Sequence, residues 1–222
     1  MIMLKLILLF LFNCLICVAG FTQVEIRGVT KIQTDGIQSD TVNLSPNKEF
    51  EKRINLKPIH ESENKVEIRF YKLENLSNTK DLKILVLRDD SWEGTLYSES
   101  NYPKIRIKKF ELEAPGGFQE FFMMLLQNNL TSLPDQKELK PKMKKYGAVH
   151  EKRGRAEQII LINDGQSYTV EFKIGDKYRI YTFHNPDTYS EFYDNVQELK
   201  DYVKIKNIFE TELNIQLHKP KA

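Results

Sequence analysis

Cysteine is scarce in this chain of 222 residues and is confined to its beginning. The two cysteines, Cys14 and Cys17, both lie within the first twenty residues. If that segment is removed on export, the remaining chain has no thiol, which excludes disulfides, cysteine nucleophiles and thiolate metal sites. The fold must then be stabilised by its core alone, for which a chain of about 200 residues is long enough.

Catalytic signatures are absent as well. The sequence contains no G-x-S-x-G nucleophile elbow, no H-E-x-x-H or H-x-H metal motif and no glycine-rich phosphate loop. The four histidines, His60, His150, His184 and His218, are widely separated along the chain. These absences predict no cofactor and no bound metal, and they favour a protein that is not an enzyme.

Charge of one sign is not in excess either. Lys and Arg total 33 against 31 Asp and Glu, which gives a formal net charge of +2. Such a balance gives no reason to expect nucleic acid or an anionic membrane as the partner. Long hydrophobic runs are missing after residue 20, so we expect no transmembrane segment in the mature chain.

The one long apolar run lies at the start of the chain. Lys5 precedes a nearly continuous apolar stretch over residues 6–18 that ends close to Gly20. This pattern predicts a secretory signal peptide over residues 1–20, because the run is shorter than the ~20 apolar residues that span a bilayer. A membrane anchor and an acylated lipoprotein are the alternatives. We therefore expect an exported protein, periplasmic or extracellular.

The C-terminal part of the chain has the clearest pattern. Residues 159–162 form a β-branched run that ends at Asn163-Asp164-Gly165, which predicts a strand and a hairpin turn. Apolar and polar residues alternate over 168–174, which predicts a second strand. After a turn at Gly175-Asp176, bulky residues on both faces over 178–184 predict a third strand in a central position.

An amphipathic helix is predicted to follow. Asn185 and Pro186 fit an N-cap and a first helical position, and Thr188 with Glu191 offers a capping box instead, so the helix begins near residue 187. Spacings of four, three and four place its apolar residues on one face, and the polar residues meet water. The apolar face is Phe192, Val196, Leu199 and Val203, and the polar face is Glu198, Lys200 and Asp201.

The middle of the chain has the same order of elements. Residues 82–87 predict a buried strand and 88–91 a turn, and two further strands precede a helix over 118–126 that is apolar nearly all round. Upstream, the pattern is weak: Val24 and Ile26, then Ile54 and Leu56, indicate two edge strands joined by a loose loop.

Together these passages predict an α+β fold, with an antiparallel sheet and two main helices packed on one face. The shared order fits a tandem βββα arrangement, whether it arose by duplication or by convergence. We expect a single domain over residues 21–222. Its halves, 65–130 and 158–213, are joined by a basic loop over 131–157.

This basic loop holds the most asymmetric charge of the chain, with a single glutamate among the many Lys and Arg of residues 140–155. The pattern predicts a surface that binds an anionic partner, such as a phosphate, a carboxylate-rich glycan or an acidic protein. A solvated linker kept soluble by its lysines is the alternative. The candidate binding residues are Lys142, Lys144, Lys145, Arg153 and Arg155.

A second candidate site lies at the end of the third predicted strand. His184 is next to Asn185 and close in sequence to Arg179 and Tyr181. Such a polar group could bind a ligand or act as a general acid or base. Capping of the next helix is the structural alternative. Arg179 and His184 are therefore included among the candidate binding residues.

Several turn and cap sequences resemble those of uncharacterised exported proteins of Bacteroidota-type bacteria. The similarity covers most of the mature chain. The resemblance implies a bacterial, exported protein and implies no activity. The segments concerned are Ala19-Gly20-Phe21-Thr22-Gln23, Trp92-Glu93-Gly94-Thr95-Leu96-Tyr97, Ser132-Leu133-Pro134-Asp135-Gln136, Asp164-Gly165-Gln166-Ser167-Tyr168 and Asn185-Pro186-Asp187-Thr188-Tyr189.

The leading hypothesis is a non-enzymatic exported protein that binds a partner or belongs to an envelope assembly. The alternative is a hydrolase of glycan or polymer whose carboxylates are brought together only by the fold, from Asp89, Asp90, Glu93 and Asp164. Turns favour Asp for its local backbone hydrogen bonds, so these acids also suit plain turn positions. Two facing acids about 5 to 10 Å apart in a cleft would favour the hydrolase.

Overall fold

The computed structural model describes residues 23–26, 29–34, 37, 39–40, 45–74, 77–148 and 155–216. The predicted signal peptide over residues 1–20 lies outside them. The helices are α1 Lys48–Arg53, α2 Phe118–Gln127, α3 Pro186–Phe192 and α4 Gln197–Thr211, with short 3-10 helices at Ile59–Glu61 and Gln136–Leu139. The strands are β1 Gln23–Ile26, β2 Val29–Gln33, β3 Val66–Glu74, β4 Thr79–Arg88, β5 Ser91–Ser100, β6 Arg106–Glu113, β7 Lys145–Ala148, β8 Arg155–Gln158, β9 Gln166–Ile174, β10 Lys177–His184 and β11 Asn214–Ile215.

Among the described residues, seven strands form one antiparallel sheet in the order β10-β9-β3-β4-β5-β6-β11. Two hairpins, β1-β2 and β7-β8, lie outside it. The α+β fold with an antiparallel sheet is therefore confirmed. Because β9 pairs with β3, strands from both halves of the sequence share one sheet.

Two tight turns were predicted correctly from their residues. Asp89 and Asp90 join β4 to β5 with φ of 48° and 62°, the left-handed values that two-residue hairpin turns require. Gly175, with φ of 62°, begins the two-residue turn between β9 and β10. Asp and Gly tolerate this backbone region better than most residues.

The main core lies between one face of the sheet and helices α2 and α4. Val66, Ile68 and Phe70 of β3 point to this side and are buried. Phe70 stacks on Phe209 of α4 at 4.3 Å between ring centroids, and Phe121 of α2 meets the same ring edge-on at 5.2 Å. Aromatic contacts of this kind favour one relative placement of the two helices and the sheet.

Helix α1 covers the opposite face of the sheet. Phe50 of α1 packs with Tyr71, Leu82 and Ile84 in a second, smaller cluster. Ile54 and Leu56 also pack against this cluster. The prediction of an edge strand at Ile54 and Leu56 is therefore wrong: the segment follows a helix and serves as a cover for the sheet.

The prediction of a strand over 159–162 is also wrong. Strand β8 ends at Gln158, and the residues that follow run without regular structure to Gln166, where β9 begins. Asn163-Asp164-Gly165 therefore does not close a hairpin. Gly165 is needed for a different reason, because a Cβ there would lie 1.9 Å from Asn185 Oδ1, the atom that accepts the Gln166 N–H.

Strand β10 lies at the edge of the sheet, which corrects the predicted central position. Its bulky residues on both faces reflect that both faces of the sheet are covered. The outward N–H groups of β10 are satisfied by side chains. Tyr178 N–H donates to Ser39 Oγ, Ile180 N–H to Asp40 Oδ2, Thr182 N–H to Asp135 Oδ2 and His184 N–H to Gln136 Oε1.

The predicted C-terminal helix is present but interrupted. Pro186 occupies the first turn of α3, and Asn185 precedes it in a left-handed conformation without capping it. The break between α3 and α4 changes the phase of the apolar face, which continues through Tyr202, Ile205 and Phe209. Asp201 was predicted to face water, but it is buried and accepts hydrogen bonds from Asn129 and Gln197.

Candidate functional site

The predicted basic loop contains regular structure. A 3-10 helix occupies Gln136–Leu139, and the β7-β8 hairpin pairs Lys145 with Gln158 and Ala148 with Arg155. Arg153 lies outside the described residues. The hairpin pairs with neither edge of the main sheet in the described part of the chain, so its side chains decide what it contacts.

The base of the hairpin is attached to helix α3 and the core. Lys145 Nζ donates to the Phe192 carbonyl at 3.0 Å and lies 4.9 Å from the centre of the Phe192 ring. Met143 on one side and Ile160 on the other pack against the main core. Lys145 therefore has a structural role in addition to any contact with a partner.

The remaining basic residues differ in how far they are engaged. Lys142 forms an ion pair with Glu198 of α4, and this contact lowers the pKa of the Glu198 carboxyl. Lys144 and Arg155 are exposed and have no ion pair within the described residues. Of the predicted cations described, these two are the ones whose charge is fully available to a partner.

Exposed apolar side chains accompany these cations. Tyr146 is 55% exposed, Ile159 69% and Leu161 81%. Ile160, between the last two, packs against the core, so its neighbours point away from the protein. We name Lys144, Tyr146, Arg155, Ile159 and Leu161 the hairpin patch. Its apolar members were missed from the sequence because the run over 159–162 resembles a buried strand.

His184 forms a cross-strand pair with Ser167. Its Nδ1 lies 2.6 Å from Ser167 Oγ, and partial burial lowers the pKa of the imidazole, against the opposing effect of Asp135. Within the described residues no carboxylate forms an ion pair with the ring. Ser167 is in register with Leu73 inside the β9-β3 ladder, so its own backbone is part of the sheet. The pair lacks the orienting acid that nucleophilic catalysis requires.

The structure does not bring His184 together with Arg179. Side chains alternate along β10, so Arg179 and Tyr181 point toward the helices and His184 points to the opposite face. Arg179 is 8% exposed and belongs to the interior. The predicted polar cluster at the strand end is therefore two separate environments.

Of the acids considered for a hydrolase, Asp164 lies far from the other three. Asp89 and Asp90 form the β4-β5 turn, at the end of the sheet where Val66 pairs with both Leu87 and Ile174. Asp164 precedes β9 at the opposite end, and nine paired residues at about 3.3 Å each separate the two ends. Asp164 therefore cannot act on one bond together with Asp89, Asp90 or Glu93.

A different carboxylate cluster is buried under α1 and was missed from the sequence. The Arg69 guanidinium lies at its centre, 1% exposed. Its nitrogens lie 2.7 Å from Glu67, 3.3 Å from Glu171 and 3.8 Å from Glu51. Tyr71 donates its hydroxyl hydrogen to Glu51 Oε1 at 2.7 Å. We name these five residues the arginine cluster.

The arginine cluster holds three carboxyl groups against one guanidinium. Burial, and then the charge of Glu51, raises the pKa of Glu171 to about 7, although Arg69 opposes the shift. Glu171 Oε1 has no hydrogen-bond partner among the described residues. A protonated Glu171 reduces the excess negative charge, because like carboxylates at such distances do not all ionise.

This cluster is closed to substrates. Glu51, Glu67 and Glu171 are at most 3% exposed and Arg69 is 1% exposed, so no carboxyl group is presented at a surface. Glu67 and Arg69 of β3 and Glu171 of β9 lie on the same face of the sheet, which α1 covers. The sequence signal for this burial is the short apolar segment around Phe50, which packs over this face of the sheet.

Three further findings bear on function. In the described part of the chain, no group of three or more His, Cys, Asp or Glu residues is arranged to hold a metal ion. No helix within the same residues has the length and apolar character needed to cross a membrane. In comparisons with known proteins, the chain matches no protein-family model, no curated protein and no solved structure.

Proposed function

We propose that this protein is a non-enzymatic binding module that docks on a protein partner through the hairpin patch. Export to the periplasm or the cell exterior, and kinship with uncharacterised exported bacterial proteins, belong to the same proposal. The observation that supports it is the clustering of exposed apolar residues. Of seven large hydrophobic side chains that are exposed in the described residues, three lie between residues 146 and 161.

Exposure of this kind is costly to keep unless a partner covers it. Full burial of a Leu or Ile side chain is worth about 1.5 to 3 kcal/mol, so covering Ile159 and Leu161 alone would contribute several kcal/mol before the costs of association. Isolated exposed hydrophobics are common, but three on one hairpin and its exit form an anchor of the kind that dominates protein interfaces.

The composition of the patch favours a protein over a glycan as partner. Glycans are bound mainly by flat aromatic rings and polar groups, whereas two of the three apolar members are the aliphatic residues Ile159 and Leu161. Lys144 and Arg155 lie beside them and form no ion pair with a described residue, and Glu157 is the cross-strand neighbour of Tyr146. The surface therefore suits a partner with an apolar centre and acidic residues around it, and the charges mainly accelerate association.

A photo-crosslinking experiment tests the site directly. A photoreactive amino acid replaces Leu161 in one version of the tagged protein. In a control version it replaces Ile105, which is 53% exposed and lies just before β6. Both are expressed in the native organism. We expect one discrete protein adduct from position 161 and none of that mass from position 105. Recovery of the same adduct in the same yield from both positions would contradict the proposal.

Matched substitutions then separate the apolar and charged contributions. Ile159→Ser with Leu161→Ser should abolish the adduct without lowering Tm, whereas Tyr102→Ser with Ile105→Ser should leave it unchanged. Lys144→Glu should weaken capture at low salt more than at high salt. Recovery of glycan instead of protein at position 161 would replace the protein partner with the glycan interpretation.

Lys142 and Lys145 are less suitable for such a test. Lys142 contacts Glu198 and Lys145 contacts Phe192, so their loss would also loosen the base of the hairpin. A single change at Lys144 avoids this confusion of binding with stability.

A further inference from the structure

Helix α1 is held on the sheet by a small number of contacts. Arg53 binds Glu99 through two hydrogen bonds of 2.6 and 2.8 Å. The apolar anchor is Phe50, which packs on Tyr71, Leu82 and Ile84. The helix has six residues, and isolated helices shorter than about 12 residues are marginal in water. Helix α1 therefore stays folded only while it is attached to the sheet.

The residue after Phe50 brings a carboxyl group to the same surface. Glu51 Oε1 accepts hydrogen bonds from the Tyr71 hydroxyl and from Ser45 Oγ, both at 2.7 Å. Arg69 Nη1 lies 3.8 Å from Glu51 Oε1 and 3.3 Å from Glu171 Oε2. The Tyr71 hydroxyl oxygen is also 3.5 Å from Glu171 Oε2. A carboxyl group of the helix and a carboxyl group of the sheet thus compete for the same two donors.

The rest of the guanidinium is already engaged. Arg69 Nε and Nη2 both lie 2.7 Å from Glu67 Oε1. Nη2 also donates to the Lys57 carbonyl at 2.6 Å. Only Nη1 is left for Glu51 and Glu171, so one nitrogen serves two carboxyl groups. A single cation cannot compensate all three carboxyl groups when each of them is ionised.

The other elements around Glu171 bring no second cation to it. Within the described part of the chain, Arg69 alone forms an ion pair with Glu171. Lys173, on the same face of β9, donates instead to the Asn64 carbonyl at 3.2 Å. The other residues that neighbouring elements place near this face are Tyr178 and Ile180 of β10 and Ile59, His60 and Glu61 of the 3-10 helix.

We propose that α1 is a pH-sensitive cover, which detaches from the sheet when Glu171 ionises and exposes the apolar surface under Phe50. Strand β9 lies between β10 and β3, so Glu171 cannot move away from the cluster. Glu51 is carried by a short helix and can leave. Its departure removes one negative charge, releases Arg69 Nη1 for Glu171 and admits water to the remaining carboxyl groups.

The direction of the pH response follows from what changes on detachment. Burial, and then the charge of Glu51, raises the pKa of Glu171 to about 7, and detachment of α1 removes both causes. The open form therefore binds the proton less tightly than the closed form. The closed form has its full advantage below pH 4.5 and loses it as the pH rises through about 7. The hairpin patch takes no part in this response.

Hydrogen exchange followed by NMR measures the opening of α1 in the full chain. Ile54 N–H donates to the Phe50 carbonyl and Leu56 N–H to the Glu51 carbonyl, so both amides are protected only while α1 is folded. The Phe70 amide, in the middle of β3, reports unfolding of the sheet. We expect the two α1 amides to be less protected than Phe70 at every pH. Low concentrations of urea should accelerate exchange at Phe70 much more than at the α1 amides.

The pH dependence of these two amides tests the role of Glu171. Protection factors corrected for the intrinsic exchange rate should fall by about tenfold to thirtyfold between pH 5.5 and pH 8.5. Glu171→Gln keeps the shape of the side chain and cannot ionise, so protection in this variant should not depend on pH. Glu51→Gln keeps an acceptor for Tyr71 and removes the competing charge, so the fall should become smaller.

Two control variants should behave as the wild type does. Glu49→Gln makes the same change in the same helix, at a side chain that is 77% exposed. Histidine also changes its charge in this pH range, and the His60 ring lies 5.6 Å from the Tyr178 ring. His60→Gln should therefore leave the fall in protection unchanged if Glu171 is the responding group.

Three results would overturn the inference. The first is wild-type protection of the α1 amides that stays constant from pH 5.5 to pH 8.5. The second is a fall of wild-type size in Glu171→Gln. The third is exchange of the α1 amides only together with Phe70, with the same protection and the same urea dependence. If Glu171→Gln does not fold, a fall in Glu51→Gln equal to that in Glu49→Gln likewise rejects the mechanism.

Discussion

Replacement of Glu171 by Gln should change how the stability of this protein depends on pH. The Glu171 carboxyl is completely buried in the arginine cluster, and its pKa is raised from the ordinary 4.5 to about 7. A folded state with a raised carboxyl pKa binds the proton more tightly than the unfolded chain does. Its stabilising effect is therefore complete below pH 4.5 and is lost as the pH rises through about 7.

The size of this effect follows from the two pKa values. Each pKa unit is worth about 1.4 kcal/mol, so full ionisation of Glu171 costs the folded state about 3 kcal/mol. Part of that loss falls below pH 5.5, where other carboxyl groups titrate. Between pH 5.5 and pH 8.5 the wild type should lose about 2 kcal/mol of unfolding free energy through this one group.

Glu171→Gln imitates the protonated carboxyl and has no proton to lose. Urea denaturation at half-unit steps from pH 5.5 to 8.5 gives the free energy of unfolding of each protein. We expect the difference between variant and wild type to move by about 2 kcal/mol in favour of the variant across this range. The exposed control Glu111→Gln should stay within about 0.5 kcal/mol of the wild type throughout.

The reasoning is refuted if the difference in unfolding free energy between Glu171→Gln and the wild type stays constant from pH 5.5 to 8.5. Glu51→Gln supplies an independent check, because the charge of Glu51 is the second cause of the raised Glu171 pKa after burial. That variant lowers the folded-state pKa of Glu171, so it should shift the loss of stability toward lower pH and make it smaller. If it has no effect, the charge of Glu51 does not reach Glu171.

Two further substitutions test other parts of the fold. Arg69→Met leaves three buried carboxyl groups without their cation. The variant should lose about 3 to 5 kcal/mol of unfolding free energy at pH 8, measured by urea denaturation, and less at pH 5.5. A loss below about 1 kcal/mol at pH 8 would show that the ion pairs are dispensable. Asp135 accepts the Lys137 N–H through Oδ1 at 2.9 Å and the Thr182 N–H through Oδ2 at 3.1 Å. Asp135→Ala should cost about 2 kcal/mol and accelerate hydrogen exchange at the Thr182 amide, while unchanged exchange would contradict the sealing of β10.

Local signals predicted the fold class and the two tight turns at Asp89-Asp90 and Gly175-Asp176 correctly. Alternation identified β9, a run of buried-type residues identified β4, and bulky residues on both faces identified β10. Asp89-Asp90 indicated the β4-β5 turn because few other residues accept a left-handed backbone. These features depend on neighbours in sequence, so a single chain contains enough information to find them. The α+β class follows directly once strands and helices are placed.

Errors arose where tertiary contacts decide. The apolar run at Ile159 and Leu161 has strand-like residues, but no strand is available to pair with it, so it is exposed. Glu171 alternates as a solvent-facing residue would, yet α1 covers that face of the sheet. Periodicity reports which residues share a face and does not report what covers the face. The burial of the arginine cluster therefore could not be predicted from the sequence.

The candidate site was predicted only in part for the same reason. Positive charge marked Lys144 and Arg155, but sequence alone could not show that Lys142 and Lys145 are engaged by Glu198 and Phe192, which are distant in the chain. Arg179 was singled out as a neighbour of His184, whereas the pleat of β10 separates the two.

The edges of the sheet explain why docking would use side chains rather than backbone. Addition of a partner strand requires a free row of N–H and C=O groups. At β10 this row is occupied by side chains of the protein itself, including Asp40 and Asp135. At β6, β11 covers only the end at Leu112 and Glu113, but the exposed Arg106, Lys108 and Lys109 place charge along the rest, a feature that opposes strand addition. With both edges protected, a partner gains most from the projecting apolar side chains of the hairpin patch, which is why substitutions there should alter binding without altering the fold.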